Sequence, residues 1–354
     1  MGNSITKYPP HTSSTIHLQS HLSIKDWSVS NAYRGISFFT YGYLNFTRSA
    51  FLKHAKGFQE KEMEVDMTGR QCVVTGSNQG IGFASAEALA ARGATVYLLC
   101  RNKERGEKAV ENIRTKTGNP NVSLEVCDLS SLQQVKEFAT RYTSSEQPLH
   151  VLVNNAGAAE NERVLSMDGL EKNFAVNVAG VYAITELLMP ALERASPDGR
   201  VITVSSGGMY AAPLTEDLQY EHEKKFDGML AYANNKRVQV ALAEHWTEVY
   251  GPKGVGFYTM HPGWVDTEII KRNMPSFYSM VKTSLRSSDQ GADTIVWLAL
   301  QPNSSLQNGA FYFDRAVAPK HLKGFRTEYT NEKVSALVSK IGSLCGLNHI
   351  SKIQ

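Results

Sequence analysis

The chain has 354 residues, 42% of them hydrophobic and 20% charged, which is the balance of a soluble globular protein long enough to bury one large core or two small ones. A formal net charge of +3 argues against nucleic acid as the main partner, so any positive patch must be local. The four cysteines form no CxxC pair and no His/Cys cluster, so no structural zinc is expected.

Residues 1–66 differ from the rest. The opening Met1-Gly2-Asn3-Ser4-Ile5-Thr6 matches the N-myristoylation pattern, with Gly2 as acceptor and Thr6 as the required hydroxyl residue. The first thirty or so residues are rich in Ser, Thr, His and Pro, as in a flexible tail. From Trp27 to Gln59 there is no acidic residue, while Arg34, Arg48, Lys53 and Lys56 alternate with Phe38, Phe39, Tyr41, Phe46 and Phe51. A basic, aromatic helix is expected there, lying either at a membrane surface or on the protein's own body. It is too interrupted to span a bilayer, which takes about 20 mostly apolar residues in a row. One acyl chain alone holds a membrane only marginally, and the basic stretch would be a second signal.

From Arg70 onward, short β-branched runs alternate with longer helical patterns. The runs fall at 71–75, 94–100, 122–127, 150–153, 200–204, 255–260 and 310–313 and are nearly continuously apolar, as in strands covered on both faces. Cys72, Cys100 and Cys127 lie in three of them, as buried thiols of a reducing compartment do. Strand and helix in turn imply an α/β fold, a doubly wound parallel sheet of seven strands. "NEKVSALVSKIGSL" places Val334, Leu337, Val338 and Ile341 on one face of a C-terminal helix. The expected divisions are an N-terminal extension over 1–66, a nucleotide-binding domain over 67–320 and a C-terminal helix and tail over 321–354.

Directly after the first strand, "TGSNQGIG" sets Gly76, Gly80 and Gly82 ahead of a helix. Glycines in that context permit a tight turn and let backbone N–H groups approach a pyrophosphate at the helix N-terminus. Further on, "LAYANNK" puts Tyr232 four residues before Lys236, on one face of a helix. Taken alone, that pair reads as well as two surface neighbours as it does as a tuned proton donor.

The G-x-x-x-G-x-G spacing, "NNAG" at 154–157 and "YANNK" together resemble the short-chain dehydrogenase/reductase family, in its order and spacing, from about Gly69 to Arg315. The 26 positions between Ser206 and Tyr232 are similar to its retinol-dehydrogenase-like branch. The resemblance implies an oxidoreductase acting on CH–OH or C=O groups by hydride transfer, with Ser206, Tyr232, Lys236 and Asn177 as catalytic residues. Tyr232 would donate the proton, its phenol lowered by the nearby Lys236 ammonium. Asn177 would hold a relay water, and Ser206 rather than Ser205 would bind the substrate oxygen.

For the cofactor, the resemblance implies contacts from Gly76, Ser77, Asn78, Gly80, Ile81 and Gly82. Asp128 and Leu129 would border the adenine, and Asn155, Ala156 and Gly157 the ribose side. Tyr232, Lys236, Pro262, Gly263, Val265 and Thr267 would surround the nicotinamide. At the end of the second strand stand Arg101 and Asn102, where an arginine favours the 2′-phosphate of NADP over NAD. Gln79 stands where NADP-preferring members often carry a basic residue, which leaves NAD open.

Two departures accompany the match: the long segment between Ser206 and Tyr232 is placed to cover the pocket, and Asn234 and Asn235 replace the family's commoner small residue and Ser. The apolar stretch at 268–281 would form a lid over a small lipophilic substrate or pack on its own domain. The alternative is a nucleotide-binding sensor or scaffold without turnover; loss of Ser206, Tyr232 or Lys236 would argue for it, and none is lost. A sugar-nucleotide epimerase generally has the other glycine spacing and a larger C-terminal domain. The expected location is cytoplasmic, including the cytosolic face of a membrane, with homo-oligomerisation open.

Overall fold

A computed structural model describes residues 24–222 and 225–347, with side chains of the first helix described from residue 35. The Gly2 acceptor and the Ser/Thr-rich tail lie outside the described residues. One sheet organises the rest. Its strands are β1 (Gln71–Thr75), β2 (Thr95–Cys100), β3 (Val122–Val126), β4 (Val151–Asn154), β5 (Arg200–Val204), β6 (Gly256–Met260), β7 (Phe311–Phe313) and β8 (Ala316–Ala318). Their order is β3-β2-β1-β4-β5-β6-β7-β8, with β1 to β7 parallel. Order reverses between β1 and β4, and in such sheets the ligand crevice opens at the carboxyl ends of the strands there.

β5 and β6 are buried at every position, which is why their sequences do not alternate. Helices cover both faces. On one side Leu132–Ser144, Lys172–Arg194, Gly228–Tyr250 and the C-terminal helix Asn331–Leu344 share an apolar core. The other side packs Gly80–Ala90, Lys103–Thr117 and Ser288–Leu300. Lys172–Arg194, whose mean hydropathy is 1.5, is the one helix among the described residues apolar and long enough to cross a bilayer; at 89% buried it is a core helix. Val334, Leu337, Val338 and Ile341 bury the expected face of the C-terminal helix.

The seventh strand has a partner that sequence pattern does not announce. β8 runs antiparallel to β7, is three residues long and has two exposed positions, so no apolar run marks it. Asp314 and Arg315 form the connection, both in the left-handed region (φ 47° and 59°), which is costly for residues with a Cβ. Ion pairs hold them there: Arg315 donates to Asp293 at 2.8 and 2.6 Å, and Asp314 accepts from Arg286.

The N-terminal segment forms helices Ile24–Asn45 and Arg48–His54, the second capped by Thr47. Its inner side chains pack on the body: Phe46 and Phe51 are buried, and Phe39 faces Trp264 at 5.8 Å. Its outer face leaves Ile36, Tyr43, Leu44 and Leu52 exposed. The anchor is Arg286, whose side chain is 1% exposed. Its guanidinium donates to the carbonyls of Asn45 and Phe46 at 3.0 Å each and pairs with Asp314 at 2.5 and 2.9 Å.

Removing Arg286 leaves the buried Asp314 carboxylate with His54, at 2.7 Å, as its remaining side-chain partner and frees the carbonyls that Arg286 held. Arg286→Met should therefore cost about 3–5 kcal/mol in chemical denaturation. By contrast Arg141→Met, which breaks an exposed pair with Glu125, should cost at most about 1 kcal/mol.

Candidate active site

At the end of β1 the chain enters a glycine turn with Gly76 and Gly80 in the left-handed region (φ 64° and 60°). A Cβ at Gly76 would lie 2.9 Å from the Ala156 Cα, and one at Gly82 would lie 2.5 Å from the Gly76 carbonyl, so both close approaches require glycine. Gly80 has open space beside it, and the helix it begins has no side-chain cap. Unsatisfied N–H groups at that end suit a diphosphate. Ser77 is turned inward, donating to the Val74 carbonyl at 2.8 Å, so it supports the turn by its side chain.

The "NNAG" turn is tied to this loop. The Thr75 hydroxyl accepts from the backbone N–H of Asn155 and of Ala156, 3.0 Å each, and the Asn155 amide donates to the Thr75 carbonyl at 2.9 Å. Arg101 is exposed at the end of β2. Asn102 beside it spends its side chain as a helix cap, accepting from the Arg105 N–H at 2.8 Å. Asp128 accepts from both the N–H and hydroxyl of Ser130, while Leu129 is buried.

The helix that carries the tyrosine starts at a strong stop. Asp227 caps it by accepting from the N–H groups of Met229 and Leu230, and Gly228 lies against the Glu160 carbonyl. One turn later, Tyr232 and Lys236 point toward the ends of β4 and β5. Lys236 is 2% exposed; its Nζ donates to the Val204 carbonyl at 2.8 Å and lies 5.4 Å from the Tyr232 ring centroid. Of its three donors only this one has a protein acceptor among the described residues. Hydroxyl groups of a bound ribose would satisfy the others, so the residues fit a nucleotide.

The two serines of "TVSSGG" separate as strand alternation requires. Ser205 turns into the helix, donating to the Lys236 carbonyl at 2.8 Å. Ser206 turns to the crevice, accepts from the Gly208 N–H at 3.1 Å and lies near enough to the Tyr232 hydroxyl to pull its pKa down. Asn177 sits in a single π-helical turn, Ala175–Ala179, within Lys172–Arg194. Its amide exchanges two bonds with Ala158, at 2.7 and 2.9 Å, and its carbonyl accepts from Gln239 at 2.7 Å. Gly157 is where Asn177 and Lys236 come together. A Cβ there would have Asn177 Oδ1 at 3.5 Å, Lys236 Nζ at 3.7 Å and Ile269 Cδ1 at 3.9 Å.

The lowering of the Tyr232 phenol is expected from Lys236 together with the positive ring of an oxidised nicotinamide. In the chain alone Lys236 does not lower it, because burial dominates both groups. Burial raises Tyr232 to about 12, with the Ser206 hydroxyl pulling partly back, and lowers Lys236 to about 7. The ammonium is spent on the Val204 carbonyl and costs more to desolvate than a ring 5.4 Å away returns.

Past β6, Pro262 is half-buried, Gly263 takes φ 81° against the Arg286 side chain, and Val265 is 2% exposed. Thr267 begins helix Glu268–Asn273 without spending its hydroxyl on a cap. The following helix, Pro275–Val281, rests Phe277 on Trp264, with ring centroids 4.9 Å apart, while Met280 is exposed. Arg272 reaches across to Glu160 at 3.1 Å. The segment after Ser206 buries Leu218, and Gln219 accepts from the Glu171 N–H, so it is fastened beside the start of the Lys172–Arg194 helix.

Asn234 and Asn235 are both buried, and neither amide atom of Asn235 has a protein hydrogen-bond partner among the described residues. Sequence reading missed Thr75 and Gln239 as members of the site, while Ile269 lies in the apolar stretch expected to close over the substrate. A polar residue closing an apolar strand, as Thr75 does, was a usable signal; Gln239 depends on how helices cross. No group of three or more His, Cys, Asp or Glu able to hold a metal lies among the described residues.

Comparison with known proteins agrees with this geometry. A family model described as short chain dehydrogenase matches residues 70–276. Dehydrogenase/reductase SDR family member 12 from Bos taurus is 43% identical over 313 residues, covering 88% of this chain and 98% of that protein. Human retinol dehydrogenase 11 is 34% identical over 257 residues, 72% of this chain and 80% of its own length. The crystal structure of an uncharacterised protein from Mycobacterium paratuberculosis superposes with a TM-score of 0.63 at 24% identity, covering 80% of this chain and 97% of that one.

The lowered Lys236 has a measurable consequence in the nucleotide-free protein. Between about pH 7 and its ordinary value of 10.5, the unfolded chain holds a proton that the folded one does not. Stability contributed by Lys236 is thus fully present above 10.5 and lost as pH falls toward 7, at up to about 1.4 kcal/mol per pH unit. Denaturation from pH 7.5 to 9.5, below the tyrosine range, should show that slope in the wild type and lose it in Lys236→Met.

Proposed function

The chain belongs to the short-chain dehydrogenase/reductase family, and from that premise we propose that it is an NADP(H)-dependent oxidoreductase that reduces a lipophilic carbonyl, or oxidises the matching alcohol, with Tyr232 as proton donor. The observation that carries the reading is the grouping of Lys236 and Asn177 at Gly157, with the Tyr232 ring 5.4 Å from the Lys236 Nζ and Ser206 beside the Tyr232 hydroxyl.

When bound, the nicotinamide supplies hydride in reduction and accepts it in oxidation. The chain's own groups handle the oxygen. Ser206 donates to the carbonyl oxygen and holds it beside Tyr232. As the carbon gains hydride, the oxygen becomes an alkoxide and takes the Tyr232 proton. Ser206 then stabilises the phenolate, and Lys236 returns the proton, replenished through a water on Asn177. A phenol raised by burial is a reluctant donor to a ground-state ketone and an adequate one to an alkoxide.

Arg101, exposed where an adenosine ribose meets the second strand, supports NADP over NAD. Ile269 beside Gly157 and the aromatic support of 275–281 favour a lipophilic substrate. A 34% identical relative named for retinol, a lipophilic alcohol, agrees in kind. Exposed Ile36, Tyr43, Leu44 and Leu52, with Arg48, Lys53 and Lys56 nearby and no acid from 27 to 59, support contact with the anionic cytosolic face of a membrane.

A screen of lipophilic aldehydes, ketones and alcohols with NADPH and NADH tests the reading. Tyr232→Phe should lower kcat/KM by about 10²–10⁴-fold, and turnover that survives it contradicts the mechanism. Arg101→Ala should reduce the preference for NADPH by about tenfold or more. Tight NADPH binding with no turnover on any compound would make the chain a nucleotide-binding sensor instead.

A further inference from the structure

The Ser206 turn is supported from outside the nucleotide-binding domain. Ser206 is followed at once by Gly207, whose N–H donates to His261 Nδ1 at 3.0 Å. A Cβ at Gly207 would meet Phe46 Cε2 at 2.8 Å and His261 Nε2 at 2.9 Å. Phe46 stands at right angles to the His261 ring, with centroids 4.3 Å apart, and is itself 1% exposed. His261 directly follows β6 and leads into Pro262 and Gly263, so one aromatic ring from the N-terminal segment touches both turns that border the reacting centre.

The backbone of the same residue is fixed as firmly. Its carbonyl accepts from the Trp264 N–H at 2.8 Å and from Arg286 Nε at 3.0 Å. Arg286 also donates to the Asn45 and Pro262 carbonyls and lies against Gly263. Gly42 leaves no room for a Cβ under the Trp264 indole. Phe39 adds a contact to Phe277 of the 275–281 helix at 6.4 Å. His261 fits this role because burial and the Arg286 charge keep it neutral, leaving Nδ1 as an acceptor for Gly207.

We propose that Phe46 is a positioning residue for the reaction: its ring packs against the hydrogen-bonded pair Gly207 and His261 and sets the Ser206 turn against the 262–265 turn, so that serine, tyrosine and nicotinamide site keep register. This rests on the oxidoreductase reading for its chemical meaning. The local order it predicts can be measured without any substrate.

The test is hydrogen–deuterium exchange and NADPH titration on the full chain, comparing wild type, Phe46→Ala, Phe46→Leu and Phe39→Ala. In Phe46→Ala, amides of 205–211 and 261–267 should exchange about tenfold faster or more, while β2 and β3 keep wild-type protection. Its Kd for NADPH should rise about tenfold. Phe46→Leu should recover most of both effects, and Phe39→Ala should loosen 274–281 while leaving 205–211 protected. Should Phe46→Ala not fold, Phe46→Leu against wild type carries the same comparison at smaller amplitude.

Unchanged protection at 205–211 with an unchanged Kd overturns the proposal. So does uniform loosening of every peptide, which would make Phe46 an ordinary core side chain. If the wild type binds neither NADPH nor NADH, the oxidoreductase reading fails while the exchange pattern still decides the role of Phe46.

Discussion

The burial of Lys236 is the constraint on which the rest of the site depends. An ammonium at 2% exposure is tolerable only where acceptors await it, and the fold provides one, the Val204 carbonyl at the end of β5. Everything around it leaves space. Gly157 has no side chain to crowd it, the π-helical turn at 175–179 carries Asn177 within reach, and Ser205 fastens the helix backbone at Lys236 itself. The helix is in turn fixed by Asp227 at its start and, further along, by Trp246 and Tyr250, which both donate to the buried Glu186 at 2.7 Å. A lysine so placed is held ready for a ligand that brings hydroxyl groups.

A second buried cation does comparable service at the rim. Arg286 gathers carbonyls from the N-terminal segment and the 262 turn, and its charge is met by Asp314 on the strained β7–β8 connection. An ion pair this deep gains little stability over an apolar substitute. Its use here is directional, since a planar guanidinium can reach several carbonyls at once and hold separate segments in one arrangement. The segment that offers an apolar, basic outer face is therefore the same one that bears on the Ser206 turn and the 275–281 helix.

Much of this was legible in the sequence, for identifiable reasons. Parallel strands buried on both faces must be continuously apolar, so "QCVVT" and "RVITV" fall on β1 and β5 residue for residue. Strand alternation parts Ser205 from Ser206 and the family resemblance points to the second, while the glycines of "TGSNQGIG" announce a turn no other residue tolerates. What stayed hidden depends on contacts between distant segments. Nothing near Arg286 indicates that its partners lie some 240 positions earlier, at Asn45 and Phe46. β8 is too short and exposed to leave a pattern. Spacing brought Tyr232 and Lys236 together and could not say that desolvation would outweigh their mutual attraction. Asn234 and Asn235, conspicuous in the sequence, are buried beside the site, and the structure offers no account of why asparagines stand there.

The central claim is that Lys236 is kept buried with donors in reserve for a nucleotide. Equilibrium binding of NADPH to wild type and to Lys236→Met, followed by cofactor fluorescence, tests it most directly. The account predicts an affinity loss of about 10- to 100-fold, the worth of charge-assisted hydrogen bonds to a ribose. Equal affinity of the two proteins would contradict it.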